Sequence, residues 1–112
     1  MTDDIALIQR YLAGEEAAAE ELVLRYQKQL YAFLYRMTRD MEEAKDLTQK
    51  TFLKAIQGLG GFRGDASFKT WLYQIALNTG LNYLKQNRRE MVDIDETAIG
   101  RNDDTLDGLI EE

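Results

Sequence analysis

Residues 41–89 decide the fold, and they read MEEAKDLTQK TFLKAIQGLG GFRGDASFKT WLYQIALNTG LNYLKQNRR. Apolar side chains recur every three or four positions in residues 41–57 and again up to about residue 89, a period that predicts two amphipathic helices. Four glycines lie between the helices, within residues 58–64. Glycines favour a shaped loop over a continued helix. The pattern therefore predicts two helices joined by a glycine-rich loop.

Upstream of this pair, the same period predicts two more helices. The first runs from about Asp3 to Ala13 and ends at Gly14. The second runs from about Glu15 to Thr38, and the two residues that follow form a break. The chain contains no proline and few strand-forming β-branched residues. The predicted fold is all-α, a compact bundle of about four helices.

Each predicted helix turns one face to the core. The residues expected there are Ile5, Ile8 and Leu12 in the first helix, Leu22, Tyr26, Leu30, Phe33, Leu34 and Met37 in the second, Ala44, Thr48, Phe52, Ala55, Ile56 and Leu59 in and just after the third, and Phe68, Leu72, Ile75, Thr79 and Tyr83 in the fourth. Asp65 or Ser67 is the expected N-cap of the fourth helix. Glycine inside a helix costs about 1 kcal/mol against alanine, so Gly80 indicates close packing.

Composition excludes several classes of function. The 112 residues suit one domain and contain neither Cys nor His, which rules out disulfide scaffolds, thiol or histidine catalysis and Cys/His metal sites. No glycine-Lys-Ser/Thr phosphate loop is present, and neighbouring acids such as Asp3 and Asp4 point to different helix faces. We expect no enzyme activity, no cofactor and no metal. The acidic start and the lack of a long apolar run predict a cytoplasmic protein without membrane insertion.

Charge is distributed unevenly along the chain. The net charge is −5 over residues 1–24, +6 over residues 25–90 and −7 over residues 91–112, which add to the total of −6. We therefore predict a helical domain in residues 1–90 and an acidic linker or tail in residues 91–112. The basic centre is compatible with a polyanion site, and equally with an ordinary solvated helical surface.

The fourth helix carries a stripe of amides followed by cations. Its members fall within about 80° of the helix circumference: Gln74, Asn78, Asn82, Lys85 and Arg89. Amides donate to and accept from base edges, whereas Lys and Arg bind phosphates, so the stripe suits nucleic acid. An ordinary polar helix face is the alternative. Phe62 in the preceding loop is placed either to stack on an unpaired base or to anchor the loop in the core.

Three segments together resemble a known family. They are residues 46–55, DLTQKTFLKA, residues 62–76, FRGDASFKTWLYQIA, and the pair Asn78-Thr79. Over roughly residues 5–89 the chain resembles the second conserved region of bacterial sigma factors of the extracytoplasmic-function group. The resemblance implies a transcription initiation factor that binds core RNA polymerase and melts the promoter minus-ten element.

The resemblance also implies roles for individual residues. Docking on the clamp helices of the polymerase beta-prime subunit is implied for Asp46, Gln49, Lys50 and Leu53. Lys50 departs from the acid usual in the family, which reverses a charge in this interface. Binding to the non-template strand, including capture of a flipped base by the loop, is implied for Gly58, Phe62, Arg63, Gly64, Asp65, Gln74, Asn78, Asn82, Lys85, Arg88 and Arg89. Trp71 is expected to serve the core.

The resemblance sets two further expectations. Members of this family are bound by anti-sigma factors, so such a factor is an expected partner. A complete member carries a second helical DNA-binding domain after the linker, so the chain is expected to be a domain fragment or a truncated protein. The alternative function is a helical protein-interaction module that binds a regulator or polymerase without reading DNA.

Overall fold

The computed structural model describes residues 3–87, which form four α-helices and no strand. The helices are α1 (Asp4–Leu12), α2 (Ala17–Thr38), α3 (Met41–Gln57) and α4 (Phe68–Asn87), with a short 3-10 turn at Leu59–Gly61 between α3 and α4. The predicted all-α bundle of about four helices is confirmed. The predicted boundary at residue 90 and the acidic segment after it lie outside the described residues and stay predictions.

Helix α2 is the centre of the bundle. It packs against α1, α3 and α4, and α3 packs against α4 along the other side. The largest fully buried side chains are Leu7, Leu30, Phe33, Leu34, Thr51, Leu59 and Leu72. Thr51 fits among them because its hydroxyl donates to the carbonyl oxygen of Leu47 at 2.7 Å. This core holds α3 and α4 side by side, with their outer faces in solvent.

Side chains at the helix starts explain where the helices begin. The Asp40 carboxylate accepts from the backbone N–H groups of Glu42 and Glu43 at 3.0 and 3.1 Å and caps α3. The Ser67 hydroxyl accepts from the N–H of Thr70 at 3.1 Å, so Ser67 caps α4. Arg39 has a left-handed backbone with φ of 58°, which ends α2 and turns the chain toward α3.

Gly80 lies where α4 packs closely on side chains of α2, as its position inside a helix predicted. A β-carbon at Gly80 would lie 2.8 Å from the Met37 sulfur and 3.2 Å from a methyl carbon of Leu34. These distances are shorter than ordinary van der Waals contact, so a side chain here would displace Met37. The missing side chain lets α4 pack closely on α2.

The predicted inner face of α1 is confirmed at Ile8 and wrong at Ile5 and Leu12. Ile5 is 45% exposed and Leu12 is 54% exposed, whereas Leu7 is fully buried beside Ile8. Polar contacts hold the helix in this rotation: the Asp4 carboxylate accepts from Arg25 at 3.0 Å and from the hydroxyl of Tyr26. Asp4 therefore lies against α2, and Leu7 and Ile8, one turn further along, are buried on that side.

In the other helices the predicted core faces are oriented correctly, although some members are only half-buried. These are Tyr26, Met37, Ile56, Ile75 and Tyr83. Leu47 was not among the expected core residues, yet it is 3% exposed. The core-facing sides of α2, α3 and α4 are therefore those that the helical period indicates.

The contact between Tyr26 and Asp4 predicts a loss of stability at high pH. Burial, and then the hydrogen bond to Asp4, raise the pKa of Tyr26 above its ordinary value. Unfolded tyrosine loses its proton near pH 10, so above that pH the folded state holds more protons than the unfolded state and stability falls as pH rises. We expect the free energy of unfolding to fall with pH more steeply in the parent than in Tyr26→Phe. The difference between the two slopes is expected to reach at most about 1.4 kcal/mol per pH unit, the value for one proton.

The measurement is urea unfolding at pH 9, 10 and 11. Burial also raises the pKa of Tyr73, so both proteins are expected to lose some stability, and only the difference between their slopes reports on Tyr26. Equal slopes for the parent and Tyr26→Phe would show that the contact with Asp4 does not hold the tyrosine proton.

Candidate nucleic-acid and polymerase interface

The predicted amide stripe lies on the solvent side of α4. Gln74, Asn78, Asn82 and Lys85 are all exposed. The opposite face of the helix is buried at Leu72, Tyr73, Ala76, Thr79 and Gly80. Because the buried side chains fix the rotation of α4, the three amides form one continuous surface. Arg88 and Arg89 lie outside the described residues, so their expected contacts stay predictions.

The glycine-rich loop begins tightly against the core. The N–H of Gly58 donates to the carbonyl oxygen of Lys54 at 3.0 Å. A β-carbon at Gly58 would lie 3.2 Å from that oxygen and 3.7 Å from the Trp71 ring. The next residue, Leu59, is 1% exposed and anchors the 3-10 turn in the core. The first half of the loop is thereby held in place.

The second half of the loop is open to solvent. Arg63, Gly64 and Asp65 are all exposed. Gly64 has φ of +81°, a backbone conformation that residues with a side chain rarely adopt. Arg63 and Asp65 lie 3.6 Å apart with more than three quarters of each side chain in solvent, so their ion pair is weak and both groups are accessible.

Phe62 joins a cluster of aromatic rings at the base of the loop. Its ring centroid lies 5.1 Å from that of Trp71 and 6.1 Å from that of Phe68, and Phe68 in turn contacts Tyr26 at 5.7 Å. Phe62 is half-buried, and so is Trp71, which contacts the core as expected. The ring of Phe62 therefore anchors the loop and still leaves part of its surface in solvent.

The second predicted surface lies on α3. Asp46, Gln49, Lys50 and Leu53 are all exposed, and Leu53 has 59% of its surface in solvent. The ammonium of Lys50 and the carboxylate of Asp46 form an ion pair of 3.1 Å one helical turn apart. An exposed leucine with polar neighbours is compatible with the apolar centre and polar rim of a protein-binding surface. This surface and the amide stripe lie on different helices.

A polar groove lies between these two surfaces. Some of the residues that line it were given no functional role by the sequence. It has a volume of about 180 Å³ and is lined by Leu47, Lys50, Lys54, Thr79, Asn82, Tyr83 and Gln86. The ammonium of Lys54 donates to the Thr79 hydroxyl at 3.5 Å, which brings it across from α3 to α4. Lys54 lies one helical turn after Lys50, and Gln86 lies one turn after Asn82. This spacing is the only feature of the sequence that indicates the groove.

Two other kinds of feature are absent from residues 3–87. No group of three or more acidic side chains there could hold a metal ion. Of the four helices described, none has the length and apolar character needed to cross a bilayer.

Comparisons with known proteins identify relatives of this chain. The model of the family described as Sigma-70 region 2 matches residues 22–90. RNA polymerase sigma-H factor of Pseudomonas aeruginosa is 43% identical over 95 residues, which are 85% of this chain and 49% of the relative. ECF RNA polymerase sigma-E factor of Escherichia coli strain K12 is 38% identical over 99 residues, 88% of this chain and 51% of the relative. The chain thus spans about half the length of these relatives.

A solved structure is similar to the bundle. It is the NMR structure of an engineered region 2 of sigmaE in complex with GTAAAA. The TM-score is 0.72 and the identity is 35%, and the match covers 80% of this chain and 93% of the other. The two proteins are therefore similar in sequence as well as in the arrangement of their helices.

Proposed function

Since the chain belongs to the sigma-70 region 2 family, as its motifs predicted, we propose that it is a transcription initiation factor domain that binds core RNA polymerase and opens the promoter minus-ten element. Its relatives among the extracytoplasmic-function sigma factors support this assignment. The role requires no catalysis, cofactor or metal. This role places the protein in the cytoplasm, where it binds core RNA polymerase.

The observation that carries the proposal is the exposed amide stripe of α4, together with the exposed second half of the glycine-rich loop that precedes this helix. Asn78 and its neighbours present donors and acceptors to solvent on one face, which suits the edges of unpaired bases. Flipping a base out of the duplex costs a few kcal/mol. Stacking returns about 1–3 kcal/mol per base. Binding can therefore open DNA without covalent chemistry.

The residues divide into three groups under this proposal. The loop residues Gly58, Phe62, Arg63, Gly64 and Asp65 form the pocket for a flipped base of the non-template strand. Gln74, Asn78 and Asn82 contact other bases of that strand, while Lys85, Arg88 and Arg89 bind its phosphates. The exposed face of α3, with Asp46, Gln49, Lys50 and Leu53, docks on the clamp helices of the beta-prime subunit. An anti-sigma factor is the expected regulator that competes for these surfaces.

Strand binding by Asn78 is the direct test. The similar solved structure is a complex with GTAAAA, so we take this hexanucleotide as the probe. Its complement, TTTTAC, serves as a strand of the same length and different sequence. We expect Asn78→Ala to weaken binding to GTAAAA about fivefold, because one hydrogen bond contributes about 1 kcal/mol. The measurement is fluorescence anisotropy of the labelled strand with the 112-residue chain.

The matched control is Gln27→Ala, which removes an exposed amide from α2 instead of α4. It is expected to bind like the parent. If the two variants bind alike, base reading by the stripe is wrong. The exposed Leu53 then favours the alternative, a helical interaction module that binds a regulator or polymerase without reading DNA.

A further inference from the structure

The thioether of Met37, in the last turn of α2, lies directly against the backbone of α4. A β-carbon on Gly80 would lie 2.8 Å from the Met37 sulfur and 2.8 Å from its terminal methyl carbon. The thioether therefore fills the space that the missing side chain of Gly80 leaves. Met37 is only half-buried, so part of its side chain is in solvent. A packed sulfur thus lies close to the surface of the bundle.

This contact supports the part of α4 that carries the amides. Three contacts between α2 and α4 follow one another along both helices: Tyr26 with Phe68, Phe33 with Tyr73, and Met37 with Gly80. The two aromatic pairs hold the first turns of α4, whereas Met37 packs against the turn that contains Asn78 and Asn82. Weakening the contact of Met37 therefore acts on these two amides.

We propose that Met37 is an oxidation site through which a peroxide lowers the affinity of the chain for the DNA strand. The proposal rests on the proposed function and adds a regulatory step to it. A lone pair of the thioether sulfur attacks one oxygen of hydrogen peroxide, a sulfur–oxygen bond forms, and the O–O bond breaks. The second oxygen leaves as water with both hydrogens. The sulfide is oxidised by two electrons to a sulfoxide, and the peroxide is reduced.

The chain offers an oxidant few other sulfur atoms. It contains no cysteine, so methionine is the residue type that is oxidised at sulfur. The other methionine within residues 3–87 is Met41, which is 62% exposed. A sulfoxide at Met41 changes a solvated side chain, whereas a sulfoxide at Met37 changes a contact between two helices. Met41 is therefore the matched control.

A sulfoxide does not fit the contact with Gly80. Its oxygen is a polar acceptor, but the N–H groups inside α4 already donate to carbonyl oxygens one turn back along the helix. The oxygen is therefore buried without a donor, or else the side chain turns out to solvent and leaves a gap at Gly80. Both outcomes loosen the packing of α4 on α2.

The first test follows oxidation and strand binding together in the 112-residue chain. Trypsin cleaves after Arg36, Arg39 and Lys45, so residues 37–39 and 40–45 form separate peptides with one methionine each. With hydrogen peroxide we expect about a fivefold loss of affinity for GTAAAA, the effect of losing one hydrogen bond to the strand. This loss is expected to follow the gain of an oxygen atom in peptide 37–39. A loss that follows peptide 40–45 instead, or no oxidation of peptide 37–39 in the folded chain, would overturn the proposal.

Substitutions separate the two methionines. Met37→Leu keeps an apolar contact without a sulfur, so after peroxide it is expected to bind GTAAAA as the untreated parent does. Met41→Leu is expected to lose about fivefold, as the parent does. Met1 and Met91 are present in both variants, so their oxidation does not distinguish them.

Glutamine gives a second comparison that needs no peroxide, because its side chain is polar at about the position of the sulfoxide. Met37→Gln is expected to bind GTAAAA about fivefold more weakly than the parent, and Met41→Gln is expected to bind like the parent. Equal affinities of the two glutamine variants would contradict the role of Met37.

Thermal unfolding makes the test independent of strand binding. Peroxide is expected to lower the unfolding midpoint of Met41→Leu by at least about 4 °C and to leave that of Met37→Leu unchanged. Treatment with a methionine sulfoxide reductase is expected to restore both the midpoint and the affinity of the parent. A lower midpoint with unchanged affinity, or a loss that the reductase does not reverse, would show that oxidation of Met37 does not regulate binding. The proposed function fails separately, when unoxidised Asn78→Ala and Gln27→Ala bind the strand equally well.

Discussion

Leu53→Asp is expected to weaken binding to core RNA polymerase by at least about 30-fold while leaving the thermal unfolding midpoint unchanged. Leu53 is 59% exposed on α3, so the folded chain makes little use of its side chain. In a docked complex the leucine becomes buried, and apolar side chains at the centre of an interface carry about 2 kcal/mol or more. Aspartate both removes this contact and leaves a charge without a partner in the interface.

Leu24→Asp is the matched control for this measurement. Leu24 is 68% exposed on α2, so the substitution is chemically identical and equally tolerable to the fold. The assay is competition for fluorescently labelled core polymerase, with thermal unfolding of both variants measured alongside. Equal loss of affinity in the two variants would show that α3 is not the docking surface. A large fall in the unfolding midpoint of Leu53→Asp would show that the leucine supports the fold.

The bounds of α3 and the orientation of its faces could be predicted from the sequence because local chemistry determines both. The carboxylate of Asp40 caps the first turn, and the glycine after Gln57 ends the helix. Its apolar residues recur at one helical period, which leaves Asp46 and Leu53 on the outside. The same argument holds for α4, whose exposed amides follow from its buried face.

The rotation of α1 could not be predicted in this way. The helix spans nine residues and has apolar side chains on two sides, so the helical period alone does not choose between Leu7 and Leu12. Contacts 21 and 22 residues away decide it, since Asp4 pairs with Arg25 and Tyr26 on α2. Such long-range pairings have no signature in a local pattern.

The groove between α3 and α4 is likewise a product of packing. Lys54 and Gln86 are ordinary exposed residues in the sequence, and they become neighbours only because α4 returns beside α3. The role of Phe62 was left open for a related reason. The sequence places it in the loop, but its contacts with Trp71 and Phe68 depend on how the loop folds back over α4.

Phe62→Ala is expected to weaken binding to GTAAAA by between about fivefold and 150-fold, since stacking of one base contributes about 1–3 kcal/mol. The ring is half-buried at the base of an open loop, so a flipped base can contact its remaining surface. The same ring packs on Trp71 and Phe68. Alanine therefore also loosens the loop, and a loss of affinity by itself does not separate stacking from anchoring.

Two further substitutions at Phe62 separate these contributions. Phe62→Leu keeps an apolar anchor against Trp71 without an aromatic face, and Phe62→Tyr keeps the face. If a base stacks on the ring, Phe62→Leu binds the strand as weakly as Phe62→Ala although its unfolding midpoint stays close to that of the parent, and Phe62→Tyr binds like the parent. If Phe62 only anchors the loop, Phe62→Leu retains the parent affinity, and the captured base must be held by hydrogen bonds from the loop backbone instead.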